Sequence, residues 1–217
     1  MQETNLLMTA RRTAMSNKRR GRLIVVSGPS GSGKGTILAE VLKNPDYVYS
    51  VSATTRNPRE GEVHGKHYFF VDKSEFEQGI EKGGFIEYAE YNGNYYGTPF
   101  EFVNKNLSEG RNVILEIEVQ GAMQIKKRFA DALFIFVTPE SRKELSDRLH
   151  SRGTEEEEVI SRRLAIADRE IPASFLYDYI IINERGKLQC AVEDFFSAVR
   201  AASLTPKSQY DILKAYF

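Results

Sequence analysis

The stretch Gly28-Pro29-Ser30-Gly31-Ser32-Gly33-Lys34 lies between a run of five mostly aliphatic residues, 23–27, and a helical pattern that begins at its lysine. A glycine-rich run with a lysine gains its meaning from this strand-loop-helix context. The glycines let successive backbone N–H groups surround a phosphate, the helix N-terminus adds positive potential, and the lysine neutralises the β- and γ-oxygens. The stretch therefore predicts an α/β fold that binds a nucleoside triphosphate; a glycine-rich turn with a chance lysine is the weaker alternative.

The residue after this lysine departs from the usual form of such a loop. Gly35 stands where a serine or threonine hydroxyl normally ligates Mg²⁺, and the hydroxyl appears one position later, at Thr36. Because consecutive residues of a helix are turned by about 100° from each other, Thr36 does not simply replace the missing ligand. The sequence therefore does not decide which residues ligate Mg²⁺.

Beyond the loop, short apolar runs alternate with helical periods, which is typical of a parallel sheet flanked by helices. Core strands are predicted at 23–27, 113–118, 133–137 and 179–182, and helices at 34–43, 120–128, 139–150 and 188–202. Residues 47–99, rich in tyrosine and in alternating polar and apolar residues, predict an inserted β-rich subdomain. Residues 149–170 predict a second, helical insertion, in which residues 151–153 precede a capping box of Thr154 and Glu157 and a strongly charged helix.

Length and composition bound the remaining possibilities. The 217 residues suit one core with appendages: a basic, disordered tail at 1–20, a single domain at 21–203 and a C-terminal extension at 204–217. No apolar run approaches the roughly 20 residues that span a bilayer, so no membrane partner is expected. Thirty basic residues balance thirty acidic ones, which argues against dedicated nucleic-acid binding. The one cysteine, Cys190, excludes an intrachain disulfide and favours a reducing, cytoplasmic setting.

A second phosphate site is predicted in the first insertion. Arg56 and Arg59 lie three residues apart in a polar loop, and two guanidinium forks suit a dianionic phosphate. Tyr68 and Tyr96 supply phenols that can donate to the same phosphate. The alternative is that both arginines are solvated surface residues.

Three acidic residues suggest a purine site. Strand alternation predicts Glu87 on the apolar face of its strand, and places Glu116 and Glu118 together near the carboxyl end of a core strand, where ligand crevices of α/β sheets lie. Guanine offers N1–H and N2–H donors beside O6, so carboxylates plus a hydroxyl match it, whereas adenine presents a lone pair at N1. For each acid taken singly, an ion pair with a nearby Lys or Arg remains the alternative.

Taken together, these residues resemble the guanylate kinases, nucleoside monophosphate kinases that make GDP and ADP from GMP and ATP. The resemblance runs from about residue 21 to 201 and rests on the segments 28–34, 52–59, 61–62, 65–66, 94–98, 120–121 and 152–154. It implies a three-layer P-loop NTPase fold with a parallel core sheet at 21–46, 100–148 and 171–203, a GMP-binding insertion at 47–99 and a lid at 149–170. The implied reaction transfers the γ-phosphoryl group of ATP, the co-substrate, to GMP and dGMP with Mg²⁺.

The resemblance also implies residue roles. ATP would be bound by Gly28, Pro29, Ser30, Gly31, Ser32, Gly33, Lys34, Gly35, Thr36 and Asn183. GMP would be bound by Arg56, Arg59, Tyr68 and Tyr96 at its phosphate and by Ser52, Glu87, Thr98 and Glu118 at its base. The catalytic cations would be Lys34, Arg148, Arg152 and Arg163, with Mg²⁺ near Thr36 and, through water, Glu116.

Some residues in these segments also suit purely structural roles. Thr98 begins a capping box with Pro99 and Glu101, and Arg162 is assigned to an i,i+4 pair with Glu158 rather than to function. The family often carries aspartates where this chain has Glu116 and Glu118. A guanylate-kinase-like binding module, an adenylate kinase and a GTPase are rival functions. The intact loop, the acids at the purine site and the absence of an Asn-Lys-x-Asp motif favour the guanylate kinase.

Overall fold

A computed structural model of the protein describes residues 20–91, 93–151, 156–210 and 214. Its strands are β1 (Leu23–Ser27), β2 (Tyr47–Tyr49), β3 (Ala53–Thr54), β4 (Phe69–Phe70), β5 (Phe85–Tyr91), β6 (Asn94–Pro99), β7 (Asn112–Glu116), β8 (Leu133–Thr138) and β9 (Tyr179–Ile182). Its helices are α1 (Lys34–Val41), α2 (Lys73–Glu81), α3 (Phe100–Ser108), α4 (Val119–Arg128), α5 (Arg142–Ser151), α6 (Glu157–Glu170) and α7 (Leu188–Ser203). Short 3₁₀ turns lie at Ile171–Leu176 and Lys207–Gln209.

The central sheet has five strands in the order β2-β7-β1-β8-β9, and every neighbouring pair is parallel. All five residues of β1 are buried, as expected of a parallel strand covered on both faces. On one face, α1 and α7 pack through residues such as Ile37 and Phe195. On the other face, α3 and α4 pack through residues such as Val103 and Ile125. The predicted three-layer α/β class is confirmed.

A second, mixed sheet has the order β4-β3-β6-β5, with β6 antiparallel to both of its neighbours. The sequence predicts this β-rich unit from residue 47, but β2 pairs with β7 in the central sheet, so the separate sheet begins at β3. Helix α2 in this unit is not among the predicted elements. Its signal is present, because Asp72 accepts a hydrogen bond from the backbone N–H of Glu75, three residues later.

Two predicted strand patterns are wrong in detail. The register of β5 against β6 shifts between Phe85 and Tyr88, and the consecutive residues Ile86 and Glu87 are both buried. A bulge of this kind breaks the regular strand alternation from which the position of Glu87 is predicted. The predicted strand at 113–118 ends at Glu116, and Glu118 is the N-cap of α4, so Glu116 and Glu118 do not share a strand face.

The second insertion contributes the end of α5 and all of α6. Leu145 and Leu149 of α5 pack against Ile160, Leu164 and Ala167 of α6 in a small separate core. The N-cap of α6 is Glu156, whose side chain makes no capping hydrogen bond, and Thr154 lies outside the described residues.

Some predicted segments are described only in part. Of the predicted tail at 1–20, only Arg20 is among the described residues, and the predicted extension at 204–217 is described to residue 210 and at residue 214. In the described portion of the chain, no helix has the length and apolar character needed to cross a membrane.

Candidate active site

The glycine-rich loop connects the carboxyl end of β1 to α1, and two of its glycines cannot be replaced without a clash. Gly28 has φ of 145°, and a Cβ there would lie 1.9 Å from the carbonyl oxygen of Val137. Gly33 has φ of 88°, and its Cβ would lie 2.2 Å from Nδ2 of Asn183. Both conformations belong to the left-handed region that favours glycine. The loop therefore depends on glycine where it passes β8 and where it passes the end of β9.

Lys34 folds back into this loop. Its Nζ donates to the carbonyl oxygen of Gly28 at 2.7 Å and to that of Pro29 at 3.2 Å. Burial lowers the pKa of Lys34, and the negative charges of Glu116, Glu170 and Glu118 oppose the shift. The ammonium group thus lies against the loop, where a bound phosphate would replace the carbonyl oxygens as its hydrogen-bond acceptor.

Arg148 and Asn183 lie against the same loop. Arg148 donates from Nη1 to the carbonyl oxygen of Ser32 at 3.2 Å and from Nη2 to that of Asn183 at 2.6 Å. Asn183 donates from Nδ2 to the same oxygen of Ser32 at 2.8 Å. An open cavity of about 400 Å³ adjoins them, lined in part by Gly31, Thr36 and Arg185. The structure therefore brings two sequence-predicted residues from distant elements to the loop.

The other predicted lid arginines are placed less completely. Arg152 lies outside the described residues. Arg163 is on α6 and partly buried, whereas its neighbour Arg162 is exposed, with Nη2 4.0 Å from Oε1 of Glu158 as the i,i+4 prediction has it.

Four predicted residues cluster in the second sheet and its adjoining loop. The guanidinium carbon of Arg56 lies 5.6 Å from the ring centroid of Tyr68, and the rings of Tyr68 and Tyr96 meet edge to face at 6.0 Å. Arg59 is nearby in sequence and exposed. These contacts argue against a freely solvated Arg56.

Glu62 organises this cluster, and sequence reasoning assigned it no role. Its Oε1 accepts from Nη2 of Arg56 at 2.9 Å, and its Oε2 accepts from the backbone N–H of Arg59 at 2.7 Å. The hydrogen bond from Arg56 holds the pKa of Glu62 down at about 2. One carboxylate thereby fixes a side chain and a backbone position of the loop that carries both arginines.

Glu87 and Thr98 form a buried pair between β5 and β6. The hydroxyl of Thr98 donates to Oε1 of Glu87 at 2.7 Å. Burial raises the pKa of Glu87, and the hydrogen bond from Thr98 opposes the shift. The alternative that Thr98 caps α3 is wrong, because Pro99 occupies the N-cap and the hydroxyl of Thr98 is used by Glu87.

Glu118 approaches the same place from the central domain. A Cβ on Gly121 would lie 3.2 Å from Oε2 of Glu87, so Glu87 packs against the first turn of α4, whose N-cap is Glu118. Ser52 precedes β3, and its carbonyl oxygen accepts from the backbone N–H of Phe69. Glu87 therefore packs against the helix that begins directly after Glu118.

Glu116 and Thr36 supply oxygen donors near the loop. Glu116 ends β7 and lies beside Val26 of β1 in the parallel register, and Thr36 is exposed in the first turn of α1. Within the described residues, no group of three or more His, Cys, Asp or Glu side chains is arranged to hold a metal ion. This donor set fits Mg²⁺, which accepts few protein ligands and keeps phosphate and water oxygens.

Glu170 is a further acid that sequence reasoning missed. It ends α6 and is half-buried; burial raises its pKa, and the positive charge of Lys34 opposes the shift. No local sequence pattern predicts that Glu170 lies near Lys34, because this proximity arises only when α6 folds back toward the loop.

Comparisons with known proteins agree with this geometry. The family model described as guanylate kinase matches residues 20–202. The guanylate kinase of Bacillus anthracis is 52% identical over 174 residues, 79% of this chain and 85% of the relative. That of Streptococcus thermophilus (strain CNRZ 1066) is 55% identical over 167 residues, 76% and 80% of the two chains. The crystal structure of guanylate kinase from Anaplasma phagocytophilum matches with a TM-score of 0.67 at 31% identity, covering 87% of this chain and 89% of that one.

Proposed function

The chain belongs to the guanylate kinase family and is an ATP:GMP phosphotransferase, and we propose how its side chains divide the work of that reaction. The observation that carries the proposal is the presence of two distinct anion-binding clusters, the glycine-rich loop with Lys34 and the loop with Arg56 and Arg59, beside a buried carboxylate–hydroxyl pair. One cluster suits the donor triphosphate and the other suits the acceptor monophosphate.

The ATP phosphates bind at residues 28–36. Backbone N–H groups of the loop cradle the β-phosphate, and Lys34 leaves the carbonyl oxygens of Gly28 and Pro29 to pair with the β- and γ-oxygens. The adenine lies toward Asn183, along the cavity beside the loop. Support comes from the contact of the Asn183 amide with Ser32, which joins the rim of that cavity to the loop.

The migrating phosphoryl group is stabilised by Lys34 with Arg148, Arg152 and Arg163. In phosphoryl transfer the charge is spread over the equatorial oxygens, so fixed cations stabilise the transition state more than the ground state. Arg148 already lies against the loop, and Arg163 lies on α6, which approaches when the lid closes. Closure also excludes water that would otherwise hydrolyse ATP.

The GMP phosphate binds to Arg56, Arg59, Tyr68 and Tyr96. Its oxygen is the nucleophile, so no protein nucleophile or general base is required. Glu62 keeps Arg56 oriented, and the two phenols donate to the remaining oxygens. The role of the chain here is to hold the oxygen in line with the γ-phosphorus.

The guanine base is bound by Ser52, Glu87, Thr98 and Glu118. Oε1 of Glu87 is engaged by Thr98, which leaves Oε2 for the N1–H and N2–H donors of guanine. Glu118 approaches from α4, and its carboxylate is the second acceptor. A base with a lone pair at N1 would meet a carboxylate and be rejected.

Glu116, through water, and Thr36 would hold Mg²⁺ together with the nucleotide phosphates. When bound, the ion neutralises charge on the β- and γ-oxygens. The single cysteine of the chain, Cys190, is exposed, and we assign the enzyme to the reducing cytoplasm.

A coupled assay with ATP and GMP, dGMP or AMP tests the acceptor site, with GMP and dGMP expected as substrates and AMP at least about 10⁴-fold poorer in kcat/KM.

Arg163→Ala and Arg162→Ala form a matched pair for the lid, because the residues are adjacent on α6. Arg163→Ala is expected to lower kcat about 10²-fold, whereas Arg162→Ala stays near the parent. Equal effects of the two substitutions would contradict the assignment of Arg163.

A further inference from the structure

Glu144 is a buried acid outside the roles assigned above. It lies in the first turn of α5 and is 8% exposed. Its Oε1 accepts from Nε of Arg148 at 2.7 Å and from Nε of Arg185 at 3.0 Å. One carboxylate oxygen therefore joins a predicted catalytic arginine to an arginine on the rim of the adjoining cavity.

The contact constrains the direction of the Arg148 guanidinium. With Nε engaged by Glu144, the planar fork presents Nη1 and Nη2 on its other edge, where they reach the carbonyl oxygens of Ser32 and Asn183. An arginine side chain otherwise has many rotamers, and ordering it costs conformational entropy. Because Glu144 already holds the Arg148 side chain in the folded protein, this entropy is lost on folding and not on nucleotide binding.

Glu144 is itself firmly held. Its backbone N–H donates to Oγ of Ser141 at the start of α5, and its neighbour Leu145 is fully buried in the core shared with α6. The hydrogen bonds from Arg148 and then Arg185 lower the pKa of Glu144, so the carboxylate stays ionised at neutral pH. A fixed, charged acceptor on a rigid helix is what positioning of an arginine requires.

We propose that Glu144 is a positioning residue for phosphoryl transfer, which holds Arg148 against the glycine-rich loop without touching either nucleotide. The proposal rests on the catalytic role of Arg148 stated above. It differs in its consequences from two alternative roles: Glu144 acting on the cavity rim through Arg185, and Glu144 serving only the stability of α5.

A double-mutant cycle tests the proposal in the full chain, with Glu144→Gln, Arg148→Ala and their combination. Glu144→Gln is expected to lower kcat about 10-fold and to leave the KM for GMP within about twofold, because a charged acceptor of an arginine contributes more than a neutral one. In the Arg148→Ala background, Glu144→Gln should cause no further loss. Glu144→Asp keeps the charge but withdraws it by one methylene, and is expected to lower kcat as well.

Two matched variants complete the cycle. Arg185→Ala removes only the second partner of Glu144, and Asp147→Asn breaks an exposed ion pair with Lys143 on the same helix. Asp147→Asn should keep kcat within about twofold of the parent. Arg185 also lines the cavity assigned to adenine, so Arg185→Ala is expected to raise the KM for ATP and to lower kcat less than Glu144→Gln does. Melting temperatures are measured for every variant.

Each contrary result overturns the proposal. Parent-like kcat in both Glu144 variants excludes positioning, and a further loss in the Arg148→Ala background shows that Glu144 acts elsewhere. An Arg185→Ala variant that reproduces Glu144→Gln assigns the effect to the cavity rim. A fall in kcat that merely follows the melting temperature, with Asp147→Asn falling likewise, assigns it to stability. If Arg148→Ala itself keeps the parent kcat, the catalytic role of Arg148 fails first.

Discussion

The hydroxyl of Thr98 lies 2.7 Å from Oε1 of Glu87, and both residues are buried between antiparallel strands. An acid in such a place tends to take up a proton, because burial disfavours its charged form. The hydrogen bond from Thr98 stabilises the ionised form and opposes that tendency. The pair thus places a hydrogen-bonded carboxyl group out of contact with bulk water, where the proposed guanine site needs an acceptor.

The first prediction concerns the hydroxyl. Thr98→Val should raise the KM for GMP about 10-fold, and Thr98→Ser, which keeps the donor, should stay near the parent. Without the donor, the pKa of Glu87 rises further, so the loss of GMP binding on acidification should begin at a higher pH. Profiles of the KM for GMP against pH check this. Superimposable profiles for the valine and serine variants would contradict the pair.

The second prediction concerns stability. The pKa of Glu87 is raised in the folded state, so the folded protein binds the proton more tightly than the unfolded chain does. The free energy of unfolding therefore falls as the pH rises from the pKa of the unfolded chain through the higher pKa of the folded protein. Above its raised pKa, the ionised Glu87 therefore costs stability. Glu87→Gln should raise the melting temperature near pH 7.5 by a few degrees and lose this advantage near pH 4, while the KM for GMP rises.

A melting temperature of Glu87→Gln that is lower than the parent at pH 7.5 would show that the charge itself stabilises the fold. The parent measured at both pH values is the control, because it reports the pH dependence of every other group.

The parts of this molecule that sequence predicts best are those determined by contiguous residues. β1 and the start of α1 lie where the sequence predicts them, because an apolar run, glycines and a lysine stand side by side. α7 extends one residue beyond the predicted 188–202, since its apolar spacing is regular. Local chemistry alone decides such elements.

What sequence did not predict depends on partners from elsewhere in the chain. The bulge in β5 and the membership of β2 in the central sheet are set by pairing with β6 and β7. The contacts of Glu144 and Glu170 likewise arise only when α5 and α6 fold back onto the loop. Charged residues on a helix are usually solvated, so nothing in the local pattern separates these acids from their neighbours.

The third prediction uses two glycines of the loop region. Gly33→Ala should raise the KM for ATP at least about 10-fold, because its Cβ would displace the amide of Asn183 and its φ is left-handed. Gly35 is helical with nothing within 4 Å of its Cβ position. Gly35→Ala should keep activity and raise the melting temperature by roughly 1–4 °C, because alanine favours the helix by about 0.5–1 kcal/mol. Equal losses in both variants would contradict this difference.

The fourth prediction concerns Lys34. Lys34→Ala should lower kcat about 10²- to 10³-fold, as the removal of one fixed charge-stabilising donor does. The melting temperature should not fall, because burial of the ammonium group is unfavourable, as its lowered pKa indicates. Turnover near that of the parent would reject the loop as the site of the transferring phosphates. Lys43→Ala, at an exposed pair with Glu40 beyond the same helix, is the control.

The last prediction follows from Gly35, which carries no hydroxyl. It rests on the proposal that Mg²⁺ is bound by the phosphates, by water and by the oxygens of Glu116 and Thr36. Glu116→Gln should raise the Mg²⁺ concentration for half-maximal rate at saturating ATP, because a neutral amide orders a metal-bound water less strongly than a carboxylate does. Thr36→Val should lower activity modestly and shift the titration less. The variant Gly35→Ser, which restores a hydroxyl next to Lys34, should shift it to lower Mg²⁺ concentration. If Glu116→Gln titrates like the parent, that carboxylate has a structural role, and the ion depends on the nucleotide and water alone.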